Sequence, residues 1–403
     1  MKQKNHFLST VIITALLFSC SGDESETPAP LVRALSVNEA EIATSANNFT
    51  FDLMAKIDAD FGDENYFISS FSISTAISMV MNAGSLESQQ AFIKTLGLEG
   101  MSSDQINAAY QSLVSYIYTL DPSVTLNVAN SNWYSQEYTI QDDFANTLRT
   151  YYDAELFESD FADPATLQLL NGWVEAETNG KIKNILDGIN PEDVMFLINA
   201  IYFKAIWTNQ FDPKNTSEQS FTLQNSQSVN ASTMMAPVKH WWSYDKDLGV
   251  QIIEIPYGNE NYGFTILMPD DPSQITNLIS SLDVNWLNAL LADSTTVTRD
   301  LYLPKFQIDF KANLVNILSS MGMPRTGLDN LFEEPLPLAI SKVIHQSFLE
   351  VNEEGSEAAA ATVIGVELTS LPAATHIDQP FVFLIRERNS GTILFSGKLL
   401  DPR

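Results

Sequence analysis

The chain has 403 residues, of which 45% are apolar, and a formal net charge of −29. This length and composition predict an ordinary globular protein with a substantial core, in one large domain or two smaller ones. The 50 acidic residues against 21 basic ones argue against nucleic acid or another polyanion as a partner, because phosphate recognition needs clustered cations.

The first twenty residues have the pattern of an export signal. Lys2 and Lys4 precede an apolar run over 7–18 that is short for a permanent membrane span. Residues 17–20 (LFSC) resemble a bacterial lipobox, in which the cysteine receives the lipid and becomes the mature terminus. We therefore predict a signal peptide over 1–19 and lipidation of Cys20. A soluble exported protein cut nearby is the alternative.

Cys20 is the only cysteine, so the remaining chain can form no disulfide and offers no thiol nucleophile. Residues 21–30 (SGDESETPAP) indicate a flexible tether, and we place the tether over 20–45. Its acids resemble the signals that carry some bacterial lipoproteins to the outer face of the outer membrane. This predicts anchoring at the cell surface, with a periplasm-facing anchor left open, and contact with membrane only through the lipid on Cys20.

The remaining chain predicts a single α+β domain over 46–403, with no repeat and no second linker. Apolar residues four apart from Phe49 to Phe61 predict a helix, and a second buried helix follows the short strand at 66–68. The run at 194–207 is rich in β-branched and aromatic residues, which favours a strand covered on both faces. Two further strands are predicted at 381–385 and 392–400.

No local pattern indicates an enzyme. The chain contains no HExxH pair, nucleophile elbow, phosphate loop or dinucleotide fingerprint. A carboxylate pair stays open, because such pairs are assembled in space. We expect no catalytic residue, cofactor or metal.

Residues 353–372 (EEGSEAAAATVIGVELTSLP) fit two structures. Ser356 could cap a helix that the following alanines favour. With a period of two, the even positions from 356 to 368 carry no charge, so one face of a strand could be buried. The segment therefore suits both an exposed loop and a central strand.

This segment resembles the hinge and reactive loop of inhibitory serpins. Other motifs match in the same order over nearly all of 46–403, although Ser70 stands where the family usually has proline. The quoted stretches are NYFISSFSISTA (65–76), NGWVEAETNGKIKNIL (171–186), LINAIYFKAIW (197–207), LPKFQID (303–309), IHQSFLEVNEEGSEAAAA (344–361) and QPFVFLIRERNSGTILFSGKLLDP (379–402).

The resemblance implies a serpin fold with about nine helices, three β-sheets and an exposed reactive-centre loop. It also implies three groups of site residues. The hinge comprises Glu353, Glu354, Gly355, Ser356, Glu357, Ala358, Ala359, Ala360 and Ala361. The polar shutter beneath the main sheet comprises Ser69, Ser72, Asn199 and His345, and Trp207 stands at the position of the family's breach tryptophan.

The implied function is suicide inhibition, in which a protease cuts the loop as a covalent acyl-enzyme and the loop then inserts into the sheet. Family spacing counted from Gly355 and from Pro380 places the cut between Thr369 and Ser370, which suits an elastase-like enzyme. A shift by one residue would place it between Leu368 and Thr369 and suit chymotrypsin-like, subtilisin-like or papain-like proteases. The expected partner is a serine endopeptidase, elastase-like or of broad specificity, and the chain is expected to be a monomer.

Two other classes of function remain. Some serpins act as carriers or chaperones without inhibiting, but bulky or charged hinge residues usually mark them, unlike Ala358 to Ala361. A surface glycan-binding lipoprotein would suit the tether and the 6 Trp and 13 Tyr, although no pattern groups these aromatics.

Overall fold

The computed structural model describes residues 32–356 and 374–403, which contain nine α-helices. The helices are α1 (Val37–Phe61), α2 (Ser70–Met81), α3 (Leu86–Thr95), α4 (Ser103–Tyr118), α5 (Asp142–Tyr152), α6 (Pro164–Glu177), α7 (Ile275–Ser281), α8 (Val284–Ala292) and α9 (Val315–Ser320). In these two ranges, no helix combines the length and apolar character needed to cross a bilayer.

Several predicted features fall outside the described residues. They are the signal peptide, the lipidation site Cys20, the hinge residues Glu357, Ala358, Ala359, Ala360 and Ala361, and the bait residues Leu368, Thr369 and Ser370.

The first helix begins earlier than the sequence predicted. We placed residues 37–45 in the tether, but they form the first turns of α1. Ser36 and Glu39 make a capping box, and the two terminal guanidinium nitrogens of Arg33 donate to Glu39, at 2.8 and 2.5 Å. These bonds lower the pKa of Glu39 to about 2, with Arg33 as the main cause. The folded part therefore includes residues before 46, because the cap satisfies the free amides of the first turn.

Fifteen strands lie in the described ranges. They are β1 (Tyr66–Ile68), β2 (Thr125–Ser135), β3 (Glu155–Ser159), β4 (Met195–Ile206), β5 (Ser217–Thr222), β6 (Ser228–Asp245), β7 (Val250–Tyr257), β8 (Tyr262–Pro269), β9 (Thr295–Pro304), β10 (Phe306–Asn313), β11 (Ile344–Val351), β12 (Gly355–Ser356), β13 (Thr375–His376), β14 (Phe381–Glu387) and β15 (Ile393–Leu399).

The strands form three sheets. The main sheet has six strands in the order β10-β11-β12-β4-β2-β3. The other two sheets share the 18-residue β6, which pairs with β5 and β9 along its first part and with β7 at its end. Hydrogen bonding therefore runs without a break from β1 to β13. The nine helices and three sheets confirm the predicted α+β fold.

Strand β4 is covered on both faces, as its sequence predicted. Phe196 and Ile198 belong to a small apolar cluster with Leu170 of α6. Ile201 and Phe203, of the other parity, belong to the main core. Both faces meet apolar side chains, which explains why the run lacks the alternation of a half-exposed strand.

Candidate functional site

Two residues near the start of the segment 353–372 lie in the middle of the main sheet. Gly355 and Ser356 form β12, which pairs antiparallel with Ile206 and Ala205 of β4 on one side. On the other side Ser356 pairs with Val351 of β11. Among the described residues, β11 and β4 are joined by hydrogen bonds only through β12. The chain therefore leaves β11, turns at 352–354 and enters the sheet as its central strand.

Trp207 holds this turn. Its indole N–H donates to the carbonyl of Asn352 at 2.9 Å, and its backbone N–H donates to the carbonyl of Glu354 at 2.9 Å. The ring is 1% exposed and stacks on Tyr257, with centroids 4.5 Å apart and an interplanar angle of 8°. The residue predicted at the breach thus contacts the backbone of the predicted hinge directly.

Glu353 fixes the outer side of the turn. Its carboxylate accepts from the ammonium of Lys305 at 3.0 Å and from the hydroxyl of Thr216 at 2.7 Å. Burial alone would raise the pKa of Glu353, but the bonds from Lys305 and Thr216 hold it below its ordinary value. The carboxylate is therefore charged near neutral pH and ties the turn to β10 and β5 through the residues that precede these strands.

Two contacts seat β12 itself. The hydroxyls of Ser356 and Tyr257 lie 2.7 Å apart, and both side chains are buried. Burial raises the pKa of Tyr257, so its hydroxyl keeps its proton. Gly355 has a φ of +154°, and a Cβ there would overlap the carbonyl oxygen of Ala205 and lie 2.7 Å from the Cα of Ile206. The backbone of β12 can approach β4 this closely only at a glycine.

Three of the four predicted shutter residues lie together. The backbone N–H of Ser69 donates to Nε2 of His345 at 3.2 Å, and the Ser69 hydroxyl donates to the carbonyl of Leu394 at 2.9 Å. The Ser69 hydroxyl also accepts from the backbone N–H of Ser72 at 3.2 Å and caps α2. Burial lowers the pKa of His345 to about 4, so the imidazole is neutral at pH 7 and can accept this bond.

Asn199 belongs to a different network. Its amide donates to Oδ1 of Asn130 at 2.6 Å, and Asn130 donates to the carbonyl of Tyr152 at 2.8 Å. The Oδ1 atom of Asn199 is buried without a hydrogen-bond partner among the described residues. The structure therefore places Asn199 on β4 of the main sheet, with its side chain bonded to Asn130 of β2 instead of His345.

Sequence reasoning did not single out Tyr257, Thr216 or Lys305 as site residues. Each contacts the turn or β12 from an element remote in sequence. Lys305 stood inside a matched motif, and its pairing with Glu353 across 48 positions had no local signal.

The main sheet thus takes Gly355 and Ser356 as a short central strand between β11 and β4. The family model described as "Serpin (serine protease inhibitor)" matches residues 44–402, and the chain belongs to the serpin family.

Relatives of this chain include both uncharacterised and named members. An uncharacterised serpin-like protein of Methanosarcina acetivorans is 30% identical over 392 residues, covering 91% of this chain and 88% of that protein. A leukocyte elastase inhibitor of Xenopus laevis is 29% identical over 383 residues, covering 90% and 99%. The structure is similar to human thyroxine-binding globulin complexed with thyroxine, with a TM-score of 0.83 at 28% identity, covering 91% of this chain and 99% of that one.

Proposed function

We propose that this serpin is a suicide inhibitor that traps serine endopeptidases as covalent acyl complexes. The position of β12 carries the proposal, because the loop that would hold the bait bond already begins as a strand between β11 and β4. Ser356 faces the core against Tyr257, so alternation along a strand would direct the uncharged even positions after it inward too.

The proposed mechanism couples cleavage to insertion. A protease serine attacks the carbonyl of the bait residue, the bond to the next residue breaks, and the new amino terminus leaves with a proton. The protease stays bound as an ester to the freed loop end. Residues after Ser356 then extend β12 along β4 and β11 and carry the enzyme with them. Trapping succeeds if insertion is faster than hydrolysis of the ester.

We place the bait bond between Thr369 and Ser370, with Leu368 and Thr369 as the alternative register. A modest β-branched side chain suits a shallow specificity pocket, and one relative is named for inhibition of leukocyte elastase. The proposed target is therefore elastase-like or of broad specificity, and the alternative register would add papain-like cysteine proteases as targets.

The decisive test is denaturing electrophoresis after mixing the protein with an elastase-type protease at increasing ratios. A complex of one inhibitor and one protease that survives boiling is expected, with the carboxy-terminal peptide released and its first residue identified by mass spectrometry. A protease whose catalytic serine is blocked is the control and should form none. Complete cleavage without complex would favour a carrier, a role for which thyroxine-binding globulin among the structural neighbours is the precedent.

We also propose that Cys20 carries a lipid that anchors the exported protein to the outer membrane, facing the cell surface. A thioether-linked lipid on Cys20 would supply the anchor once the signal is removed. Cys20→Ser is expected to move the protein from the membrane pellet to the soluble fraction. A serine variant that still sediments with membranes would contradict the anchor, and protease shaving of intact cells tests the surface orientation.

A further inference from the structure

The segment that holds the bait bond is anchored again at its far end. Strand β13 pairs in parallel with β9, with Thr375 opposite Leu301 and His376 opposite Tyr302. Beyond β13, the N–H of Ile377 donates to the carbonyl of Tyr302 at 2.9 Å. This short edge strand begins five residues after Ser370.

A buried histidine bonds this strand to the body of the molecule. His240 of β6 is fully buried, with Nδ1 2.9 Å from the carbonyl oxygen of Val238 and Nε2 3.1 Å from the hydroxyl of Thr375. A carbonyl only accepts, so Nδ1 carries the proton and neutral Nε2 accepts from the Thr375 hydroxyl. Thr375 is itself buried.

The surroundings do not offer a counter-charge for an imidazolium. Burial lowers the pKa of His240 and outweighs the opposing effect of the Val238 carbonyl, and the charge of Arg299 on β9 lowers it further. The acidic group that β7 places beside β6, Glu254, is bound to Arg386 and Arg388. The neighbouring cation of β6, Lys239, is bound to Glu260.

Other charged or titratable groups of this region are His376, Asp378 and Asp270, which are exposed, and Asp300 of β9, which is half-buried. His376 stacks on the ring of Tyr302 with centroids 4.4 Å apart. A cleft of about 360 Å³ runs along β13 and is lined by Trp242, Asp270, Arg299, Thr375, His376 and Asp378. One side of β13 therefore borders solvent, and its other side is held by backbone pairing with β9 and by the bond from Thr375 to His240.

We propose that His240 is a positioning residue that holds the carboxy-terminal base of the bait loop through Thr375, and that acid releases this base. The proposal rests on the proposed inhibitory function. Ser356 and Thr375 are bonded residues on the two sides of the segment that contains the proposed bait bond. A protonated Nε2 could no longer accept from Thr375, and its charge would be buried near Arg299, so protonation favours the open arrangement.

The test measures amide hydrogen exchange at residues 375–377 in the mature protein, corrected for intrinsic rates, at about pH 8 and about pH 4.5. The acidic value lies well below the ordinary histidine pKa because burial lowers the pKa of His240. In the native sequence, protection should fall about tenfold on acidification, the change expected for loss of one buried hydrogen bond. Thr375→Ser keeps the hydroxyl and should behave as the native protein. Thr375→Val keeps the shape and should show low protection at both pH values.

A second variant keeps the test decisive if Thr375→Val folds poorly. His240→Gln cannot titrate in this range, and its amide oxygen can accept from Thr375, so its protection should not depend on pH. Native protection that is the same at both pH values, or Val and Ser variants that behave alike, would overturn the proposal.

Exchange needs no protease, so this result is independent of whether trapping occurs. If the protein does trap protease, Thr375→Val should raise the number of inhibitor molecules consumed per enzyme above that of Thr375→Ser. Equal numbers would show that His240 does not position the loop for inhibition.

Discussion

The buried imidazole of His345 links stability to acid. Its folded pKa is about 4 because burial disfavours the charged form, whereas the unfolded chain has the ordinary value of about 6.5. The contribution of His345 to the free energy of unfolding is therefore complete above about pH 6.5. It falls below this pH as the unfolded state gains a proton, and it is constant again below about pH 4. The loss over this window should be about 3 kcal/mol.

His345→Gln is the matched variant, because its amide oxygen can accept the bond from Ser69 without titrating. Denaturant unfolding of both proteins from about pH 7.5 to about pH 4 measures the effect, and the difference between the two curves isolates His345 from other groups. Native protein should lose more stability than the variant. Parallel curves would mean that His345 is not held neutral under the sheet.

Gly355 should be the position in the turn least tolerant of a methyl group. Gly355→Ala would drive a Cβ into the backbone of β4, a cost of about 1–3 kcal/mol if the strands must shift. We expect this shift to separate β12 from β4 and to break the contact between Ser356 and Tyr257. Insertion should then slow, and the number of inhibitor molecules cleaved per enzyme trapped should rise.

Gly172→Ala provides the control. This glycine lies in α6, and a Cβ there meets nothing within 4 Å. Alanine also favours a helix, so this variant should trap protease as the native protein does and be at least as stable. A Gly355→Ala protein that traps with native stoichiometry would show that close packing of β12 is unnecessary.

Site residues were predictable where their partners are local or their order along the chain is shared with a family. Ser69 caps α2 and Ser72 lies in its first turn, and Trp207 directly follows the apolar run of β4. The partner of Asn199 was not predictable, because cross-strand register decides that it faces Asn130. Tyr257 and Lys305 reach the hinge through tertiary packing that leaves no local pattern.

At the scale of elements, strand parity beyond Ser356 can be tested with one side chain. Ala360 shares the parity of the core-facing Ser356, so Ala360→Arg would bury a guanidinium without a partner when the loop inserts. This costs several kcal/mol, so insertion should slow until hydrolysis of the acyl-enzyme releases active protease. The variant should be a substrate instead of an inhibitor.

Ala359→Arg is the control for Ala360→Arg. It adds the same charge one residue away, on the outer face of the inserted strand, and should retain most trapping. Gel titration against protease gives the ratio of complex to cleaved inhibitor for each. Equal ratios for the two arginine variants would refute an alternating strand with its even positions inward.

Element types followed from sequence more reliably than their limits and connections. The apolar face from Phe49 to Phe61 predicts α1, but the start of this helix depends on the capping box of Ser36 and Glu39, which lies outside the apolar repeat. The double coverage of β4 was readable from its near-continuous apolar run. The participation of β6 in two sheets could not be predicted, because an alternating strand has the same sequence pattern in either sheet.

At the scale of the whole molecule, the proposed function requires a native state that is not the most stable one. In the described part of the chain, the strand between β11 and β4 consists of Gly355 and Ser356. Residues 356–369, at about 3.3 Å each, would make a strand of about 45 Å, long enough to cross a domain of this size. Energy for displacing a protease can come only from contacts that the uncut loop does not make.

Cutting the loop should therefore raise the melting temperature. Insertion of residues 356–368 would add backbone hydrogen bonds on both edges and bury Ile364, Val366 and Leu368, each worth roughly 1.5 to 3 kcal/mol. Their sum rivals the stability of an ordinary domain, whereas a cut in an ordinary loop leaves stability unchanged or lowers it.

Calorimetry on intact protein and on protein nicked by a catalytic amount of elastase, with the cut mapped by mass spectrometry, compares the two melting temperatures. The nicked Ala360→Arg protein is the control and should gain much less. A nicked native-sequence form that melts at or below the intact temperature would identify a serpin that does not insert its loop, and the trapping mechanism would be wrong for this chain.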